Sequence, residues 1–251
     1  MKKEQSFKNL TPDLTLSQII SVDKEAANLL SSIGLDPSRH KDETLRSACK
    51  QRKWSEVEVL KWLKKTRLSE VEASENGESP EDDFGKDITE WANYLEQKFH
   101  DKNLELLEEI ENDFPRVKKL HGNQYPRLKN MEWYLEKFSR DYKLYLKFEG
   151  MKFFPLAEKL TPKNKQPLDG LIRKLQHCLD VVERDQVRLW ELMKTIRKKG
   201  GDFENPKGAC STLRILNYNL KQFENNLKHQ FQVEKDHIVP LVQQDLARFE
   251  Q

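Results

Sequence analysis

From Asp87 to the C-terminus, apolar residues recur at spacings of three and four along four separate runs, and no alternating pattern of any length competes with them. A chain written this way has to bury stripes on helices, so the expected fold class is all-α. Asp87-Ile88-Thr89-Glu90 caps the first run, which carries Ile88, Ala92, Leu95, Phe99, Leu106 and Ile110. Pro126 opens the second after the turn Gly122-Asn123-Gln124-Tyr125, Pro167 opens the third, and Gly200-Gly201 breaks the chain before the fourth. Connections this short make an antiparallel four-helix bundle over residues 87–251 the economical packing.

Polar residues interrupt the stripes. The second run reads Met131, Leu135, Phe138, Tyr142, Tyr145 and then Glu149, and the fourth reads Leu213, Leu216, Leu220, Phe223, Leu227 and then Gln230, Glu234 and His237. On the third, Leu175, Leu179 and Val182 lead to Gln186 before Leu189, Met193 and Ile196. An ionised carboxylate in a dry core is costly unless it is paired or neutralised, so Glu149 and Glu234 need a reason to be there. Three readings are open. A metal ion is held between the helices by inward carboxylates and histidine; a buried hydrogen-bond network satisfies the carboxyls through Tyr145 and the two glutamines; or the helices are rotated and both glutamates face solvent. The metal reading asks for a ligand on the first helix. His100 lies 23 residues before Asn123 and Tyr145 lies 22 after it, so the two stand nearly level at about 1.5 Å of rise per residue.

The preceding stretch, residues 1–67, reads as a small helical domain. Leu16, Ile19 and Ile20 form one stripe and Ala26, Leu29, Leu30 and Ile33 another, ended by Gly34 as a helix C-cap. Ser55-Glu56-Val57-Glu58 has the form of a capping box before Val59, Leu60 and Leu63. A module this small is near the lower limit for folding alone and is expected to dock, on the second domain, on a twin chain or on a protein partner. Residues 68–86 read as an acidic linker: residues 69–83 hold seven acids and no Lys or Arg, which leaves +9 on the remainder of a chain whose net charge is +2.

Those charges exclude several classes of function. Lys and Arg alternate with Glu along helix faces without forming a basic stripe, so nucleic acid is not an expected partner. No apolar run approaches the roughly 20 residues of a membrane span, and the N-terminal residues lead into no apolar signal core, so a cytoplasmic location without membrane contact is expected. Cys49, Cys178 and Cys210 have no clustered spacing. No Ser-His-Asp or Cys-His arrangement and no Gly-rich phosphate loop stands out, so the chain is not expected to be an enzyme of those kinds.

The same residues resemble a known family in their order. Phe99-His100-Asp101, Tyr145-x-x-x-Glu149 followed by Phe154-Pro155, Glu183-Arg184-Asp185-Gln186, Ala209-Cys210-Ser211-Thr212, and Gln230-x-x-x-Glu234 followed by Val239-Pro240 are similar to motifs of the iron-sulfur cluster repair di-iron proteins, in which a small N-terminal domain precedes a hemerythrin-like bundle. The likeness runs from about Leu14 to Leu241, and its most specific element is the repeated frame with Pro six residues after Glu. It implies a hemerythrin-like fold, non-haem iron, and a role in iron handling or in nitrosative or oxidative stress. It implies the metal positions His100, Tyr145, Glu149, Gln186, Gln230 and Glu234. Three of these replace the family's histidines with Tyr or Gln, which are poorer ligands for a di-iron centre. Ser38 and Arg39 stand where the family carries a Cys-Cys pair, and Cys49 is expected to pack as a small hydrophobe. Two functions are expected on these grounds: a hemerythrin-like protein with a depleted, mononuclear or lost metal site, or a metal-free interaction or regulatory scaffold of the same descent.

Overall fold

The structure is a computed structural model that describes residues 9–75, 87–160 and 169–249. Among these residues it is all-helical, with one isolated antiparallel bridge between Thr15 and Thr44 and no strand. No helix among them is long and apolar enough to cross a membrane. The chain divides into two compact units, Met1–Ser79 with Phe203–Leu220, and Pro80–Asp202 with Lys221–Gln251.

The first unit contains α1 (Leu16–Val22), α2 (Glu25–Ser32), α3 (Leu45–Gln51) and α4 (Glu56–Glu75). Thr15 and Gln18 form a full capping box on α1, Thr44 caps α3 through the amide of Ser47, and the bridge between the two threonines ties both helix starts together. Gly34 ends α2 with φ of +88°, and Leu35 N–H closes on Leu30 O at 2.9 Å. Leu16, Ile19, Ala26, Leu30, Ile33, Ala48, Cys49, Val59 and Leu63 are fully buried together. Residues 203–220 complete this unit: Ile215 joins its core, Trp54 Nε1 donates to Ala209 O at 3.2 Å, and Glu58 accepts from Thr212 Oγ1 at 2.7 Å. Glu58 thus turns towards Thr212, while Ser55 Oγ accepts from the Glu58 amide at 3.3 Å. Arg214 donates to both Ala209 O and Ile33 O at 3.0 Å and lies over the Trp54 ring at 5.1 Å. Cys49 is buried, and burial pushes its thiol up to about 11, so it packs as an inert apolar group.

The second unit contains α5 (Ile88–Leu95), α6 (Asp101–His121), α7 (Arg127–Phe148), α8 (Phe154–Lys159), α9 (Asp169–Lys199), the end of α10 (Ser211–Val233) and α11 (Val239–Phe249). α7 packs on α6 and α9, α5 packs on α8, and α9 also packs on α11. Asp87 caps α5, and the Gly200-Gly201 break is real, with Gly201 at φ of +64°. The expected helix start at Pro167 and residues 76–86 of the expected 68–86 linker lie outside the described residues, while residues 68–75 continue α4, so the helix runs past the expected domain boundary at 67.

Three π-helical turns, Glu96–His100, Glu149–Phe153 and Glu234–Ile238, interrupt otherwise continuous helices. Each is closed by an amide five residues on: Asp101 to Glu96 O, Phe154 to Glu149 O and Val239 to Glu234 O. Two of them immediately precede Pro155 and Pro240. A proline inside a helix has no N–H and its ring meets the carbonyl four residues back; a widened turn relieves both problems. No such proline accounts for the first.

Candidate metal centre

Each π turn adds one residue and so rotates the residues downstream of it by about 100° relative to a straight helix. On the first helix the expected stripe Phe99, Leu106, Ile110 gives way to His100, Asn103, Leu107, Ile110, Phe114 and Val117, while Phe99 and Leu106 are only half-buried. His100, expected at the edge of the stripe, is therefore inside it at 7% exposure. On the fourth helix the same shift puts Ile238 in the core in place of His237, which is exposed and stacks on Trp91 at 4.2 Å. His177 and His229 are also exposed.

The six sequence-derived positions meet in one layer of the second unit, five of them buried and Gln186 half-buried. Glu149 and Gln230 are 0% exposed, Glu234 1% and Tyr145 2%. Rotation of the glutamates to solvent is thereby excluded. Gln230 Nε2 donates to Glu234 Oε1 at 2.8 Å, and Gln186 Nε2 donates to Glu234 Oε2 and, at 3.2 Å, to the Tyr145 hydroxyl. That hydroxyl lies 2.8 Å from Glu149 Oε1 and also hydrogen-bonds Glu234 Oε2. Tyr145 and both glutamines are donors onto the carboxylates in this arrangement.

Two further members escaped the sequence reading. Asn103 Nδ2 donates to the Tyr142 hydroxyl at 2.9 Å and to Gln230 Oε1 at 3.1 Å, and the Tyr142 hydroxyl donates to Gln230 Oε1 at 2.6 Å. These contacts hold Gln230 with its amide nitrogen towards Glu234. The spacing of Asn103 three residues after His100 was the available signal, since i and i+3 share a helix face.

Proton counting constrains the layer. A hydroxyl has one proton to give, so Tyr145 donates to one glutamate only, and the other must bring a proton of its own. Electrostatics agrees. Burial and the charge of Glu234 hold the Glu149 carboxyl well above the usual range, against a smaller lowering by Tyr145. Burial raises Glu234 to about 7, opposed by hydrogen bonds from Tyr145, Gln230 and Gln186. Burial drives His100 down to about 4, so its imidazole is neutral at pH 7. Tyr145 is raised well above 10 by burial and by both glutamates, so it remains a phenol.

Three buried polar atoms of the layer lack a hydrogen-bond partner, Asn103 Oδ1, His100 Nε2 and Glu149 Oε2, and the last two face each other at 3.5 Å. Between a neutral imidazole and a carboxyl oxygen that separation is neither an ion pair nor a hydrogen bond. Two donors on one tetrahedral ion, with bonds of about 2.0–2.1 Å, stand about 3.4 Å apart. One ligand atom each from His100, Glu149 and Glu234 lies within 4.8 Å of the others, so this buried cluster could hold a metal ion. The residues fit one cation. Three donors are brought together, and Tyr145, Gln186 and Gln230 occupy the remaining carboxylate oxygens.

No protein-family model matches this chain, and no curated protein matches it.

Proposed function

We propose that this chain binds a single divalent metal ion through His100, Glu149 and Glu234, and that it is a hemerythrin-like relative of the iron-sulfur cluster repair di-iron proteins in which Tyr145, Gln186 and Gln230 have closed the second metal position. The observation that carries the reading is the pair of partnerless buried atoms, His100 Nε2 and Glu149 Oε2, at 3.5 Å. An imidazole with carboxylates suits Fe(II), and also Mn(II) and Zn(II). Iron is the choice the family likeness favours. The role is one of iron or stress handling by binding, with no turnover assigned to the site. Bound iron would supply an open coordination position for a small molecule.

One observation favours a second reading, a metal-free interaction or regulatory scaffold. Tyr145, Gln186 and Gln230 already donate to the carboxylates directly, which satisfies Glu234 at both oxygens without an ion.

Metal analysis of protein purified from iron-supplemented cells separates the two, with Glu149→Ala and Glu234→Ala as controls. Near-stoichiometric iron that is lost in both variants supports the metal reading. Background metal in all three proteins leaves the scaffold.

A further inference from the structure

A cleft of about 460 Å³ in the second unit has His100, one of the three residues of the candidate metal cluster, in its lining. His100, Leu146 and Phe154 form its buried floor, and Glu96, Asp101, Lys143 and Lys147 stand exposed on its rim. Lys143 is engaged by Glu111, through contacts of 2.8 and 3.0 Å to the two carboxylate oxygens. Gly150, next in sequence to the ligand Glu149, also lines the cleft, and a Cβ built on it would meet nothing within 4 Å. The floor is the informative part. His100 is the cleft residue that is also a member of the cluster, and its Nε2 is the atom without a partner.

We propose that this cleft is the port through which a hydrated divalent cation reaches and leaves the cluster, with His100 as the first ligand it meets and Glu96 and Asp101 drawing it to the mouth. The inference rests on the proposed metal site and adds the route. Glu149 and Glu234, which offer the other ligand atoms of the cluster, do not line the cleft. A cation entering there exchanges water for imidazole before it meets the carboxylates. The missing side chain at position 150 keeps the mouth wide.

Co²⁺, followed by its absorption in stopped flow, is the probe. Gly150→Trp fills the mouth from a helical position that tolerates a side chain, and Leu104→Trp fills it from the other wall if the first variant misfolds. Each should slow uptake, and extraction by a chelator, by at least about tenfold while leaving the equilibrium affinity unchanged, because a port sets rates and not ligands. The pair Glu96→Gln and Asp101→Asn should slow uptake at low salt and converge on the wild-type rate at high salt. Wild-type rates in the plugged variants, with Co²⁺ still bound by the wild type, would overturn the port and leave the metal reading standing. No Co²⁺ bound by the wild type at equilibrium would overturn both.

Discussion

His100 Nε2 stands 3.5 Å from Glu149 Oε2 in the core of the second unit, and neither atom has a hydrogen-bond partner. A buried polar group left unsatisfied costs about 1–3 kcal/mol, so two facing each other are a standing cost. The other three carboxylate oxygens avoid it, since Tyr145, Gln186 and Gln230 place a donor on each, while Asn103 Oδ1 in the same layer also lacks a partner. An ion between the two lone atoms would lift the cost.

Glu149→Gln should move stability and metal affinity in opposite directions. The amide keeps an acceptor for Tyr145 and removes a carboxyl that burial holds protonated, so the metal-free protein should gain about 1 kcal/mol above pH 7 in urea unfolding. Co²⁺ affinity should fall by at least about 100-fold, since a ligand is lost and not merely its support. A parallel fall in both would mark Glu149 as a structural residue only.

The pH dependence has a definite sign. Folding raises Glu149 well above 4.5 and Glu234 from 4.5 to about 7, so the folded chain holds protons that the unfolded chain has already shed. Their contribution is complete at low pH and is lost as pH rises through the folded values. His100, lowered from 6.5 to about 4 by burial, contributes the opposite slope between those two values. Above pH 6.5 the carboxyl slope acts alone. The urea midpoint of the metal-free protein should therefore fall from about pH 6.5 to 8, and a saturating divalent ion should flatten or reverse that fall. A midpoint that climbs over this range without metal would contradict the assignment.

Tyr145→Phe should destabilise the metal-free protein by about 1–3 kcal/mol, because Glu149 Oε1 loses its hydrogen-bond partner at 2.8 Å. Metal should protect this variant more than wild type, since an ion replaces the missing donor. Equal protection of both proteins in thermal melts would count against a shared site.

In the first unit, Gly34→Ala should destabilise by more than about 1 kcal/mol, because φ is +88° and the new Cβ would lie 2.7 Å from Arg214 Nη1. Arg214→Ala should also destabilise, through loss of its bonds to Ala209 O and Ile33 O and of its place over Trp54. Relief of the Gly34→Ala cost in the Arg214→Ala background would separate crowding from backbone strain. A double-mutant cycle measures it.

Much of this was legible because helical periodicity is a property of the local chain. Glu149, Gln186, Gln230 and Glu234 fall on core positions of otherwise apolar stripes, and Gly34 and Ser55 mark helix ends by their chemistry. An inserted residue is where periodicity fails. The π turns rotate His100 and Asn103 inward and His237 outward, and a count at a constant 3.6 residues per turn misplaces all three. Glu with Pro six residues later, at Glu149 and Glu234, was the readable trace of two of these turns. The first turn has no proline, which is why the histidine it buries was the harder residue to place.

Binding of one ion should displace a proton from the layer. Calorimetric titration of the metal-free protein with Fe(II) or Mn(II) at pH 7, repeated in buffers of different ionisation enthalpy, measures stoichiometry and proton release together. One ion should bind per chain with release of about one proton from the Glu149–Glu234 pair. Two ions per chain, or binding without proton release, would contradict this.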